Sequence, residues 1–200
     1  QDQWARVMGD YPANFPKGKR MKVHPEPVTG LYPVERVTWE RCTEFTRRLG
    51  LALPTEAQWE YAARGPGDHR FGGGSEAARL GDFANLSGRE GAAVFPNHSP
   101  THEDAFIISA PVGSLRPNGF GLHDLSGNVE EWCRESTNFY ADVVPAAGDG
   151  FRASDRGGHM ARGGSFNEPV REGRVSWRTS FASGNASATV GLRAARALDR

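Results

Sequence analysis

The run GLHDLSGNVEEW, Gly121 to Trp132, sets two carboxylates, Asp124 and Glu131, on either side of Gly127 and Val129. A hard cation such as calcium takes six to eight oxygens from carboxylates, backbone carbonyls and water. Asp124 and Glu131 supply carboxylates, while Gly127 and Val129 stand at alternating positions from which carbonyls can turn inward. The same run also reads as a capped turn leading into a strand anchored by Trp132. A second concentration of chemistry is RGGSFNEPVREGRVSWR, Arg162 to Arg178. There Ser165, Asn167, Glu168, Arg171, Arg174, Ser176, Trp177 and Arg178 gather polar groups around one large aromatic. On a rigid frame such a mixture suits recognition of a peptide, sugar or small ligand. The competing reading is internal: guanidinium forks of Arg162, Arg174, Arg178 and Arg193 can tie acidic residues and loop carbonyls together. Trp177 is equally a core anchor or a ligand platform.

Other candidates carry less. His98 and His102 stand four apart, but Pro100 between them prevents a helix that would aim both at zinc. FGGG, Phe71 to Gly74, lacks the lysine and following helix of a phosphate loop and reads as a turn. Cys42 and Cys133 are the only cysteines, too few for a disulfide framework or a CxxC metal site. Both read as small buried hydrophobes.

The elements that must position these groups are few. Trp4, Val7 and Met8 mark a short helix stopped by Gly9. Thr38 caps a second helix with Trp39, Cys42, Phe45 and Leu49 on its buried side and Gly50 beyond its end. Thr55 and Gln58 predict a capping box on a third, whose packing face is Trp59, Ala62 and Ala63 and whose end is Gly65. Pro111 to Gly113 reads as a strand edge, and HMARGGSF and VGLRAARAL have the alternation of short strands. Tyr11 to Tyr32 reads as irregular surface chain. The class is α+β, with more loop than a compact domain usually carries, and cations tying loops together would explain the excess.

In 200 residues, 38% of them apolar, there is enough for a packed core. Basic and acidic residues balance at 24 each, which leaves no general field for nucleic acid or an anionic membrane. No apolar run reaches the length of a membrane span, and QDQWARVMGD does not resemble a signal peptide.

PVERVTW, LPTEAQWEYAARG, NGFGLHDLSGNVEEW and RGGSF followed by GLR occur in the order, and near the spacing, of the formylglycine-generating, sulfatase-modifying enzymes. The chain resembles that family over most of its length. The resemblance implies a C-type-lectin-like fold of low regular secondary structure, with two main helices packed on short antiparallel strands. It also implies one domain over residues 1–200 that lacks the family's first N-terminal strands. One calcium would be held by Asp124, Glu131 and the carbonyls of Gly127 and Val129. A second would use Asn85, the Leu86 carbonyl, Asp104 and the Phe106 carbonyl. In the oxidase members two cysteines after GGS bind copper(I). Aligning on Gly163 to Ser165 puts Glu168 at the first cysteine, and the second falls within Arg171 to Gly173. A carboxylate does not replace a thiolate for copper(I), so no copper is expected.

The resulting expectation is a non-catalytic recognition module on a calcium-stabilised frame, binding a peptide, protein or small molecule through residues 165–178. It would resemble the family's pseudo-enzymes or its retroelement-diversified variable proteins, or serve as a sensor domain of a larger multidomain protein. The alternative is a copper-independent enzyme with Glu168 as general base, which requires a deep pocket at Glu168 and a perturbed titration. A formylglycine-generating oxidase stands last. Compartment is not legible.

Overall fold

The computed structural model describes residues 1–20 and 26–196. Three short helices, α1 (Asp2–Met8), α2 (Trp39–Arg48) and α3 (Glu56–Arg64), precede four strands, β1 (Glu130–Ser136), β2 (His159–Arg162), β3 (Arg178–Phe181) and β4 (Val190–Gly191). Loops and single 3-10 turns make up the rest. Residues 21–25 of the irregular Tyr11 to Tyr32 stretch, and Ala197 and Leu198 of VGLRAARAL, lie outside the described residues.

The capping chemistry forms as its residues dictate. Gly9 takes a left-handed φ of 82° and returns its N–H to the Ala5 carbonyl, ending α1. The Thr38 hydroxyl accepts from the Arg41 N–H at 3.3 Å. At α3 the Thr55 hydroxyl accepts from the Gln58 N–H, and the Gln58 side chain accepts from the Thr55 N–H, a reciprocal box. Caps of this kind contribute about 1 kcal/mol each.

The sheet runs β3-β2-β1-β4. β1 pairs with β2 and β2 with β3 antiparallel, whereas the short β4 lies parallel to β1. Side-chain alternation along β1 sends Trp132 to one face and Cys133 to the other. Trp132 joins Trp4, Cys42, Phe45, Ala161 and Val190, so α1 and α2 cover that face. Cys133 joins Trp59, Ala63, Leu125, Met160 and Val175 under α3. The two main helices therefore sandwich the sheet. Stacking of Trp4 on Phe45, 5.1 Å between ring centroids, fixes α1 to α2.

Three local expectations are corrected. Leu49 is 46% exposed, because α2 stops at Arg48 and Leu49 turns off its buried stripe as the C-cap. Pro111 to Gly113 is a turn, not a strand: the Ser114 N–H closes on the Pro111 carbonyl, and Val112 is exposed. β3 occupies the end of the candidate ligand segment, where RTSF carries no apolar alternation to announce it. No helix among the described residues is long and apolar enough to cross a membrane.

Candidate functional site

The two loops to which the resemblance assigns cations lie back to back. Residues 124–129 curl because Asp124, Gly127 and Asn128 all adopt positive φ, near 59°, 82° and 63°. Gly127 is obligatory there, since a Cβ would stand 1.8 Å from the Asn85 carbonyl oxygen. That contact is a bridge between the loops: Gly127 pairs with Asn85, and the Asn128 N–H donates to the Asn85 carbonyl at 2.7 Å.

In the first loop the Gly113 N–H donates to Asp124 Oδ2 at 2.8 Å, while Oδ1 is buried without a partner. Burial pushes this carboxyl above its ordinary range, against the pull of the Gly113 N–H and Arg193. Glu131 accepts from Trp59 Nε1 at 2.7 Å and from both Arg193 Nε and Nη2. In the second loop Asn85 Nδ2 donates to the Ile108 carbonyl, and Asn85 Oδ1 is buried without a partner. Asp104 takes the N–H groups of Leu86 and Phe106, with His102 Nε2 2.9 Å from its Oδ2. Glu90, which the motifs did not single out, sits beside Asp104. It accepts the Asp104 N–H at 3.3 Å, has Oε2 buried and unpartnered, and is raised in pKa mainly by burial.

Among the described residues no three His, Cys, Asp or Glu side chains converge to hold a metal by themselves. A cation in either loop would thus need the carbonyls of Gly127 and Val129, or of Leu86 and Phe106. The donor set is all hard oxygen, which suits calcium. One oxygen in each loop, Asp124 Oδ1 and Asn85 Oδ1, lacks the partner that buried polar atoms ordinarily have.

The same loops anchor residues 163–168. The Gly127 N–H donates to the Gly163 carbonyl, Phe166 N–H to the Asn128 carbonyl, and Ser87 N–H to the Glu168 carbonyl, all within 3.0 Å. Gly164, at φ 69°, passes the Glu172 carbonyl so closely that a Cβ would meet it at 2.7 Å.

Along the segment the eight candidate residues separate. Ser165 is fully buried and donates to Asn167 Oδ1. Arg178 grips Glu56 through Nε at 2.7 Å and Nη2 at 2.5 Å, also bonds Asn138, and lies 3.9 Å from the Tyr140 ring centroid. Arg174 is half-buried and donates to the Arg171 carbonyl. Arg171 and Ser176 are exposed, and Asn167, Glu168 and Trp177 are half-buried. Trp177 Nε1 is buried with no partner. Arg162, fully buried, bonds Glu60 and the carbonyls of Val175 and Trp177. With Arg193 on Glu131, all four arginines of the internal reading are engaged inside the molecule.

Glu168 is pushed up to about 7 by burial, with Glu172 adding to the effect. Glu130, also unflagged by the motifs, is 1% exposed, makes no salt bridge among the described residues, and has the Thr179 hydroxyl beside its carboxyl. Burial pushes it up to about 8, helped by the carboxylates of Glu168 and Glu172. In GNVEEW it stands next to Glu131; strand alternation points one carboxylate at Trp59 and Arg193, and the other away from them. Cys42 and Cys133 are buried in separate clusters, with thiols raised by burial. A cavity of about 670 Å³ opens beside Trp4, Tyr32, Leu122, Asp124, Glu131 and Arg193. Neither it nor two smaller ones is lined by any residue from 165 to 178.

Residues 3–198 match the family model described as "Sulfatase-modifying factor enzyme 1-like domain". The chain is 36% identical over 206 residues to the formylglycine-generating enzyme of Streptomyces coelicolor, covering 98% of this chain and 61% of that protein. It thus spans about three-fifths of that relative's length. Similarity to the inactive Cα-formylglycine-generating enzyme 2 of Bos taurus is 27% over 182 residues, covering 84% of this chain and 52% of that protein. Among solved structures, Treponema denticola variable protein 1 superposes with a TM-score of 0.74 at 23% identity, covering 97% of this chain and 80% of that one.

Proposed function

Because the chain belongs to the sulfatase-modifying factor enzyme 1-like family, we propose that it uses that fold as a non-catalytic recognition module, binding a peptide, protein or small molecule through residues 165–178. The observation that carries this is the state of the segment. Arg171 and Ser176 are exposed, Arg171 held only by a surface pair with Glu172, and Trp177 beside them in sequence is half-buried with its Nε1 unpartnered. Glu168 stands where the resemblance places the first copper-binding cysteine, and both cysteines of the chain are buried in other clusters. A half-buried aromatic with a free N–H serves as a binding anchor, being apolar in body and polar at its edge. That a relative sharing this family is named inactive is compatible with such a use.

Calcium belongs to the same proposal. Asp124 and Glu131 with the Gly127 and Val129 carbonyls would hold one ion; Asn85 and Asp104 with the Leu86 and Phe106 carbonyls would hold the other. Each ion would satisfy an orphaned oxygen, and the pair would brace the strands of hydrogen bonds that seat Gly163 and Glu168. A second reading, a copper-independent enzyme, draws on one observation: Glu168 is raised to about 7, which suits a general base near neutral pH. The absence of any of residues 165–178 from the three cavities weighs against it.

Affinity selection from a synthetic peptide library, on the intact chain and on Trp177→Ala, tests the proposal. Binders lost with Trp177 support recognition. Aldehyde formation on a cysteine peptide in the presence of copper, or turnover abolished by Glu168→Gln, would replace it with an enzyme.

A further inference from the structure

The end of β1 and the loop after it lay three arginines over aromatic rings: Arg134 on Phe151, Arg152 on Tyr140 and Arg156 on Phe139. Arg134 is answered by Asp149 and Arg156 by Asp142. Arg152 differs. Among the described residues it has no ion pair, and its Nε is buried without an acceptor. Asp155, exposed three residues on, makes no ion pair with it. Tyr140 sits between two guanidiniums, with Arg152 Cζ 4.3 Å and Arg178 Cζ 3.9 Å from its ring centroid. Groups that close leave no room for both on one face, so each covers its own. The ring is nonetheless 48% exposed, so its edge is what meets solvent. That edge is the electropositive part of an aromatic. It carries the hydroxyl, 3.5 Å from Arg162 Nη2, and Arg162 Nη1 donates to the Trp177 carbonyl at 2.7 Å. Tyr140 and Trp177 thus flank one guanidinium, and Trp177 Nε1 is itself buried without an acceptor.

The charges around Tyr140 leave one cation over. Arg178 is answered by Glu56, and Arg162 by Glu60, which Arg64 also holds. Arg152 has no such carboxylate. We infer that Arg152 and the edge of Tyr140 form a seat for one carboxylate of a bound peptide, beside Trp177. The inference deepens the recognition reading of residues 165–178 and rests on it for the peptide. A guanidinium laid on a ring spends its flat face there and keeps its in-plane N–H fork, which is matched to a carboxylate. A single unanswered cation suits a monoanion better than a phosphate dianion. The orphaned N–H of Arg152 would gain the acceptor that buried donors ordinarily have. The seat is also in place before any ligand arrives. The Thr137 N–H donates to the Gly158 carbonyl, Arg178 Nη1 to the Asn138 carbonyl and the Thr55 hydroxyl to the Asp149 carbonyl, which pins the loop at its ends and at Asp149. A preformed seat loses little affinity to ordering.

An NMR titration of the intact, isotope-labelled chain reads the orphan donors directly, because an arginine Nε–H and a tryptophan Nε1–H each give a resonance of their own. The probes are acetyl-Gly-Glu-Gly-amide, its glutamine counterpart, acetyl-triglycine with a free C-terminus, and inorganic phosphate. The glutamate peptide should move the Arg152 Nε–H resonance and bind roughly tenfold or more tighter than the glutamine peptide. Added salt should weaken it. Arg152→Gln should remove most of this binding, and Arg152→Lys, which keeps the charge without the fork, should fall between. Arg156→Gln, whose cation is already answered by Asp142, should leave binding as it was. Amide resonances unchanged elsewhere confirm that each variant keeps the fold. Acetyl-triglycine displacing the glutamate peptide would assign the seat to a chain terminus; failure to displace it would assign the seat to an acidic side chain. Equal binding of the glutamate and glutamine peptides, binding untouched by Arg152→Gln, or phosphate binding tighter than the glutamate peptide would each overturn the inference. The library selection separates this from the broader reading. Trp177-dependent binders that tolerate Arg152→Gln would keep recognition and remove the carboxylate seat. Glutamate-peptide binding at Arg152 with no Trp177-dependent binder in the library would keep the seat and remove the reading of the segment.

Discussion

The sheet is bordered by two acidic regions that solve the same electrostatic problem in opposite ways. Under α3, Glu56 and Glu60 are locked to Arg162, Arg178 and Arg64. Around residue 168, Glu130 is buried and Glu168 half-buried, no arginine among the described residues pairs with either, and both are raised well above the usual carboxylate range, chiefly by burial. The first arrangement is finished within the chain and reads as structure. The second has no such partners, a state it shares with Glu35 and Glu135, each of which also buries one carboxylate oxygen without a hydrogen bond.

The contrast is broken most directly by charge removal on each side. Arg162 is fully buried, and replacing it with Met strands Glu60 and part of the charge on Glu56. Removing one member of a buried ion pair costs about 3–5 kcal/mol, so Arg162→Met should lower the free energy of urea unfolding by that amount. Glu130→Gln, which replaces a carboxyl that burial keeps largely protonated near neutral pH, should leave stability unchanged or raise it. Equal losses in the two variants would show that the two regions do not differ.

Calcium sharpens the comparison, because the cation loops are bonded to the side around residue 168. Ser87 and Gly127 donate to the Glu168 and Gly163 carbonyls. If ions occupy both loops, a chelator should lower the melting temperature; a ligand at a hundredfold over its dissociation constant contributes about 2.7 kcal/mol. Hydrogen exchange should then speed first at the amides of Ser87, Gly127 and Phe166, with those held by α3 and its arginines following later. An unchanged melting curve across the chelator range would remove the ions from the account.

Much of this was legible in residue types and spacing, and the part that was not has a common cause. Thr38, Thr55 with Gln58, and Gly9 announce their helix ends because capping is a local contest between side chain and backbone. Leu49 misled because periodicity continues one residue past the point where the backbone leaves the helix. β3 was missed because a strand paired at Arg178, Thr179, Ser180 and Phe181 takes its stability from β2, not from its own pattern. Glu130 was invisible beside Glu131: only pairing with β2 and β4 decides which of two adjacent glutamates meets an arginine.

A smaller effect follows from the titration of Glu168. Unfolded, its carboxyl titrates near its ordinary value of 4.5; folded, it is raised to about 7. Between those values the folded chain keeps a proton that the unfolded chain releases, so stability falls as pH rises from about 4.5 to about 7 and is level beyond. Glu168→Gln removes this dependence. It should be more stable than the parent by on the order of 1–2 kcal/mol at pH 8 and equal to it near pH 5. A constant offset between the two melting curves at both pH values would mean that the carboxyl titrates normally and that the region is not short of positive charge.

The smallest effect on stability belongs to the exposed edge of the segment. Arg171 pairs with Glu172 at 2.9 Å, and it does so from an exposed position. Arg171→Ala should therefore change unfolding free energy by less than about 0.5 kcal/mol, within the range of exposed ion pairs. It also frees Glu172. On the arginine-locked side the outcome differs: freeing Glu56 or Glu60 of Arg162 or Arg178 unbalances a buried charge and costs stability. A loss above about 1 kcal/mol on Arg171→Ala would mean that this exposed edge is held as firmly as the side under α3.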